Sequence, residues 1–446
     1  MIICVGMREN PSGHTAATLN KKRRGGLSFV QNPDSAEISS ASAVTSSPAP
    51  FYSSIIIVLE KMAFAPSTIV ITAECLCKAH SFSTEISINS LPLSASACHC
   101  DSCRHVTGAL YSVDVPWPEP RQNVDTTKLK HYAFSANISI LFCGICSSPI
   151  FFEFTKKSHD LGVFTGALKN HDVDLVKIVD HIFVGDTIDG GATMWLQKPN
   201  AGGRRVPRFK ERSNTEQYSY DWPAPSTLIG YEKQTDEKYI PLRCHCKGVD
   251  FLLHRGSYEG KTEAELPWFI DPKTHKLLAS FDVCDSCRLQ SGIDILNWTF
   301  SELANISLST EFPGEAKGFP RTTAGLKAAV DARDSAIGSL DYYLSSSDVQ
   351  RYFCKVCSAT VFYAVHERPE IVDVAVGLLE SHDGARAESF LSWNLGGPFS
   401  WAEDAKGGWR EDFMQRVRDE AEEWRIKRGY PKGWRRVKKE KETELS

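Results

Sequence analysis

Nothing in this sequence is long and apolar enough to span a bilayer: the run Phe51 to Leu59 is far short of the roughly 20 residues a transmembrane helix needs. Excess charge is also missing, since 51 Lys and Arg face 55 Asp and Glu for a formal net charge of −4. No global field therefore argues for nucleic acid or an anionic membrane. Neither half of the chain carries the basic, aromatic-interleaved patch of a nucleic-acid surface. Met1 to Asn10 lack the long apolar core and cleavage signal of a secretory peptide. The expected setting is a reducing one, cytoplasmic or, should the tetrad Lys21-Lys22-Arg23-Arg24 act as an address, nuclear. What the chain does have is cysteine, 14 in all, and in that setting cysteines serve as thiolate ligands before disulfides. With 446 residues, two or three domains can each bury a core, so size forces no metal staple.

Residues 1–66, with the Ser/Ala/Pro-rich tract Ser35 to Pro50, offer too little apolar surface to offset ordering entropy and are expected to be a disordered arm. From Ile69 onward the text changes to short apolar or alternating runs, among them Ser139 to Phe142 and Ile150 to Phe154, whose length and β-branched or aromatic content predict strands. A first unit closes near Trp195-Leu196, and residues 201–238, rich in Gly and Pro, read as a linker.

The second half repeats the first. Cys75-Leu76-Cys77-Lys78 corresponds to Cys244-His245-Cys246-Lys247, and Cys103-Arg104 to Thr107-Gly108 corresponds to Cys287-Arg288 to Ser291-Gly292. Tyr132, Phe142 and Cys143 match Tyr343, Phe353 and Cys354 in the same register. The second copy is looser and carries an Ala/Gly-rich insertion around Gly314 to Gly338, expected as a loop or short helix. Beyond Trp401, Phe413, Val417, Ala421 and Trp424 recur at helical spacing and predict an amphipathic helix within residues 409–446, followed by a charged tail from Lys438.

Each repeat supplies outer pairs from two separated loops: Cys75 and Cys77 with Cys143 and Cys146, then Cys244 and Cys246 with Cys354 and Cys357. Four thiolates make a closed tetrahedral zinc site, so both sets read as structural, against the plainer alternative of buried free thiols. The heptad Cys98-His99-Cys100-Asp101-Ser102-Cys103-Arg104 brings three thiols together with no fourth in its repeat. Three ligands and an open position are the count of a catalytic zinc site. Three thiolates leave zinc a weak Lewis acid for water but able to bind and deprotonate an external thiol, which points to thiol chemistry. Alternatively His99 or His105 closes a third structural site. The second copy has Asp282 where Cys98 stands, leaving Asp282, Cys284 and Cys287. One soft ligand short, it reads as a degenerate copy kept for the fold or for shaping a substrate cleft. The expectation is three Zn2+ per chain, two structural and one reactive. Arg104 and Arg288 either balance thiolate charge or grip a substrate carboxylate, and Trp117 and Trp298 read as core.

Cys-x-Cys, then Cys-His-Cys-x-x-Cys-Arg-x-x-Thr-Gly, then Phe-Cys-x-x-Cys resembles the glutathione-dependent formaldehyde-activating enzyme family, which also includes centromere protein V. The likeness covers residues 69–200 with every cysteine present and 239–405 with one missing. It implies a mainly β fold: two tandem zinc-containing antiparallel β domains of the Mss-four-like type, followed here by the amphipathic helix. It also implies structural zinc on the outer cysteines and a zinc near a glutathione site on Cys98, Cys100 and Cys103. Where the family often has Gly, this chain has Lys78, Lys247, Ser147 and Ser358. The activity implied is that of a carbon–sulfur lyase joining glutathione to formaldehyde or a related small aldehyde, with His99 as a donor to the developing alkoxide. The competing reading is a non-catalytic zinc module that carries glutathione or serves as a scaffold.

Overall fold

The computed structural model describes residues 67–154, 160–233, 235–309 and 318–444. The N-terminal arm with its basic tetrad, Cys4 and the start of the insertion lie outside the described residues. The strands of the first repeat are β1 (Thr68–Glu74), β2 (Ser81–Ser87), β3 (Leu93–Cys98), β4 (Ser112–Pro116), β5 (Lys130–Ser135), β6 (Ile138–Phe142), β7 (Pro149–Phe154), β8 (Leu161–Phe164) and β9 (Val176–Ile182). Those of the second are β10 (Tyr239–Arg243), β11 (Asp250–His254), β12 (Leu277–Asp282), β13 (Leu296–Glu302), β14 (Ile306–Leu308), β15 (Leu340–Ser346), β16 (Val349–Cys354), β17 (Thr360–Val365), β18 (Ile371–Ala375) and β19 (Leu391–Trp393). The helices are α1 (Asp101–Thr107), α2 (Asp285–Ser291), α3 (Thr323–Asp331), α4 (Trp409–Lys427) and α5 (Trp434–Glu444).

Two seven-stranded sheets share one topology: β5-β6-β7-β8-β4-β3-β9 in the first repeat and β15-β16-β17-β18-β13-β12-β19 in the second. Central β8 is buried along its whole length, as expected for a strand covered on both faces, whereas edge strand β5 alternates between exposed and half-buried positions. The pairing in both sheets is antiparallel, as expected, except that the last strand of each returns parallel to β3 or β12. A strand arriving after a crossover, not a hairpin, is free to pair in parallel. The insertion forms α3, and the charged tail, expected to fray, continues as α5 with no buried residue. Among the described residues no helix is long and apolar enough to cross a membrane.

The described residues from Thr68 onward pack as one compact unit, and the contacts joining the repeats are reciprocal. The Gly166 N–H donates to the Gly292 carbonyl and the Gly377 N–H to the Gly108 carbonyl, both at 2.9 Å. Gly108 and Gly292 cap α1 and α2 in the left-handed region. A Cβ on Gly166 or Gly377 would meet the opposing backbone at 2.2 Å or 2.1 Å, so these glycines serve the seam between repeats. Trp195 of the first repeat meets Phe281 and Trp393 of the second and Trp424 of α4 at centroid distances of 5.1, 5.3 and 6.0 Å. The expected apolar stripe Phe413, Val417, Ala421 and Trp424 is buried.

Buried charge also bridges the seam. Glu388, 3 % exposed, accepts from Arg386 Nε at 2.9 Å and from both terminal nitrogens of Arg428 at 2.6 and 2.7 Å. The Arg386 backbone N–H in turn donates to Asp189 of the first repeat at 2.8 Å. Burial alone would raise the Glu388 carboxyl, but Arg386 and Arg428 outweigh it and hold it down to about 2. A carboxyl depressed on folding stabilises above its unfolded pKa, ~4.3, and loses that contribution as pH falls towards the folded value. The melting temperature of the wild type should therefore drop more steeply than that of Glu388→Gln between about pH 4.3 and 2. Parallel profiles would remove Glu388 from the acid response.

Candidate metal centres

The outer cysteines sit in turns. Cys75 and Cys77 follow β1, and Cys143 and Cys146 lie between β6 and β7; the second repeat does the same with Cys244 and Cys246 after β10 and with Cys354 and Cys357 around the β16–β17 turn. Each set holds its four sulfurs within 4.8 Å of one another. Cys75 and Cys77 are 3.6 Å apart, as are Cys77 and Cys143, while Cys246 and Cys354 are 3.4 Å apart. Bonds of ~2.3 Å to one tetrahedral ion would separate the sulfurs by about 3.8 Å, far beyond the ~2.05 Å of a disulfide. Backbone N–H groups point at the sulfurs: His80 to Cys75, Ile145 to Cys143, Val249 to Cys244 and Gly248 to Cys246, at 3.3–3.4 Å. These donors favour thiolate and suit the sites to zinc. Lys78, Ser147, Lys247 and Ser358 all adopt positive φ, between 58° and 66°, so the turn that glycine would make freely is kept by other residues.

The inner triplet stands where β3 runs into α1. Cys98 ends the strand, Cys100 caps the helix by accepting the Cys103 N–H at 3.3 Å, and the Cys98 and Cys100 sulfurs are 3.5 Å apart. Cys98, Cys100 and Cys103 form a group of their own, with no fourth His, Cys, Asp or Glu within the same reach among the described residues. Such a donor set fits zinc as three of its four ligands. Residues 70–186 match the family model described as Glutathione-dependent formaldehyde-activating enzyme. They form a GFA domain. No curated protein and no solved structure matches the chain. The family match ends before the second repeat, whose likeness to the GFA domain rests on the shared sheet order and the paired cysteine groups.

Around the GFA domain's triplet the other residues singled out in the sequence divide. His99 is fully buried and not part of the three-sulfur group, sharing a 2.9 Å hydrogen bond with His181 and stacking on Tyr111. Burial, with the charges of His181 and Arg104, holds His99 well below the usual histidine range, and burial pushes His181 down to about 4. Both rings are therefore neutral, and His181 is anchored in turn on the Leu196 carbonyl at 2.7 Å. Arg104, 5 % exposed, bonds Asp101 at 2.5 Å, while its Nε and Nη1 find no partner among the described residues. Its counterpart Arg288 is satisfied across the seam by the carbonyls of Gly166 and Leu168, at 2.5 and 2.8 Å.

Three neighbours of the sites were not visible in sequence. Phe209, within residues 201–238, packs against Cys98, Cys100, Cys103 and Ile182, brought there by hydrogen bonds between its own backbone and those of His181 and Val184. His245, from the outer loop of the second repeat, donates its backbone N–H to the His105 carbonyl and shares a 2.6 Å hydrogen bond with Tyr132 of the first. Arg351 reaches the second inner group. There Asp282 accepts the Cys284 N–H at 2.9 Å, Cys284 accepts the Cys287 N–H at 3.2 Å, and Arg351 Nη1 donates to the Cys287 sulfur at 3.4 Å. The donors of Asp282, Cys284 and Cys287 are close enough to hold an ion. A guanidinium already in contact with one of them opposes that.

Proposed function

We propose that this chain is a zinc-dependent carbon–sulfur lyase-type enzyme that forms or cleaves the S-hydroxymethyl adduct of glutathione, or another thiol, with formaldehyde or a related small aldehyde. The observation that carries the reading is the three-sulfur group of Cys98, Cys100 and Cys103 inside the GFA-matched residues. Zinc bound there would supply a cation that lowers the pKa of an incoming thiol. The chain's own residues do the rest. Cys100 fixes the start of α1, and the buried Arg104, next in sequence to Cys103, keeps two donors unpartnered among the described residues, suited to a substrate carboxylate. Phe209 and Phe134 pack on the sulfurs and exclude water. Thiol and aldehyde combine readily, so proximity and deprotonation are all the protein need provide. His99, enclosed by His181 and Tyr111, acts in this scheme through the position of the β3–α1 turn. The proposal includes the two-copy organisation, with residues 69–200 and 239–405 as copies joined by 201–238 and with 409–446 as the helical C-terminal segment. It also includes structural zinc at both outer sets and a cytoplasmic setting.

One observation favours the competing reading of a non-catalytic zinc module: the three inner cysteines are only 4, 8 and 4 % exposed, as in a closed site. Exchange spectroscopy of glutathione with formaldehyde separates the two. The wild type is expected to accelerate adduct exchange at least tenfold over Cys100→Ala, both carrying their outer zinc. Equal rates would leave the zinc module as the function.

A further inference from the structure

The substitution of Cys98 by Asp282 in the second copy is matched by another. Arg351 stands three residues before Cys354, where Ile140 stands three before Cys143. Where the first copy has an aliphatic side chain, the second thus has a guanidinium beside its inner sulfurs. Arg351 is 5 % exposed and held on three sides, by the Cys287 sulfur at 3.4 Å, the Ser345 hydroxyl at 3.0 Å and the Tyr363 ring at 5.0 Å. One soft ligand has been exchanged for a hard carboxylate, which weakens the site for zinc. A fixed positive charge has been added against a remaining sulfur, which repels any cation placed there. The two changes act in the same direction and balance each other's charge.

The surroundings differ as well. The first triplet lies under Phe209, whereas Asp282, Cys284, Cys287 and Arg351 line a cleft of about 1960 Å³ with Trp298 and Phe300 on its wall. We infer that Arg351 supplies in the second copy the positive charge that a metal supplies in the first, leaving Cys284 and Cys287 as a metal-free dithiol that exchanges with small disulfides entering this cleft. The two sulfurs lie within 4.8 Å of each other, near enough to join by side-chain rotation.

The step is balanced by the incoming disulfide. Cys284, the more exposed of the pair at 7 % against 3 %, gives its proton to water and attacks one sulfur of the small disulfide, whose S–S bond breaks as its far half leaves as a thiolate. Cys287 gives its proton to water and attacks the mixed disulfide, forming the Cys284–Cys287 bond and expelling the second half. The protein dithiol loses two electrons and the small disulfide gains them, with Arg351 beside the sulfurs where negative charge collects.

This inference does not rest on activity in the first copy. The test is run on the full zinc-loaded chain, with zinc counted by mass spectrometry and native thiols titrated with 5,5′-dithiobis(2-nitrobenzoate) as the probe disulfide. The wild type is expected to hold three zinc ions and to react at two more thiols than Cys284→Ser/Cys287→Ser. Asp282→Cys/Arg351→Ile, which restores the first copy's pattern, should bind a fourth ion and lose that fast reaction. A fourth zinc in the wild type would overturn the inference, as would equal thiol counts in the wild type and the double serine variant. Should the restored variant fail to fold, the serine comparison still decides.

Discussion

Cys354→Ala is expected to abolish cooperative folding of the second repeat and to remove one zinc per chain. Cys354 ends β16, while its partners Cys244 and Cys246 follow β10 in a separate three-stranded sheet. The proposed ion is therefore the fastening between two sheets. A structural zinc contributes on the order of 10–16 kcal/mol to the folding of a small module, and a whole domain is stable by only ~5–15 kcal/mol. Loss of one thiolate removes a large part of that margin. Damage should spread across the seam, because the loop bearing Cys244 and Cys246 also carries His245, which bonds His105 and Tyr132. Circular dichroism with zinc analysis checks the prediction. An unchanged melting curve in a variant short of one zinc would show that the ion is not a structural fastening.

Arg410→Ala should be the costliest substitution away from the cysteines, at about 3–5 kcal/mol, the usual penalty for stripping one partner from a buried ion pair. Arg410 and Asp294 are 2 and 4 % exposed in their side chains and meet at 2.8 Å. Arg410 Nη2 also donates to the carbonyls of Thr165 and Leu168 at 2.7 and 2.9 Å, and the Thr165 hydroxyl donates to Asp294 at 2.6 Å. One guanidinium thus ties α4 to both repeats. Its removal leaves the buried Asp294 carboxylate without its cationic partner and the Thr165 carbonyl without the 2.7 Å bond from Arg410. Replacing both members by apolar residues, as in Arg410→Met/Asp294→Leu, should recover much of the loss, since the desolvation cost goes with the pair. Urea denaturation of the single and double variants reads this directly. A single variant within 1 kcal/mol of wild type, a threshold well below the ~3–5 kcal/mol expected, would mean that the seam does not depend on this ion pair.

Sequence by itself determined the features that depend on local spacing. Metal ligands must converge within a few ångströms, so they are written as Cys-x-Cys and Cys-x-x-Cys pairs, and all four groups found in space were read from those pairs. The duplication, the strands and the stripe of α4 follow from repeats and periodicity that survive in one dimension. Tertiary structure alone decided what surrounds those ligands. Arg351 meets Cys287 from 64 residues away, Phe209 arrives over the first triplet from residues that read as a linker, and His245 crosses from one repeat to the other. No local pattern records such pairings, because they depend on which sheet edges and loop faces come to oppose each other in the folded chain. The folded chain leaves one inner cysteine group beneath an aromatic side chain and the other on the wall of a cleft beside a buried guanidinium.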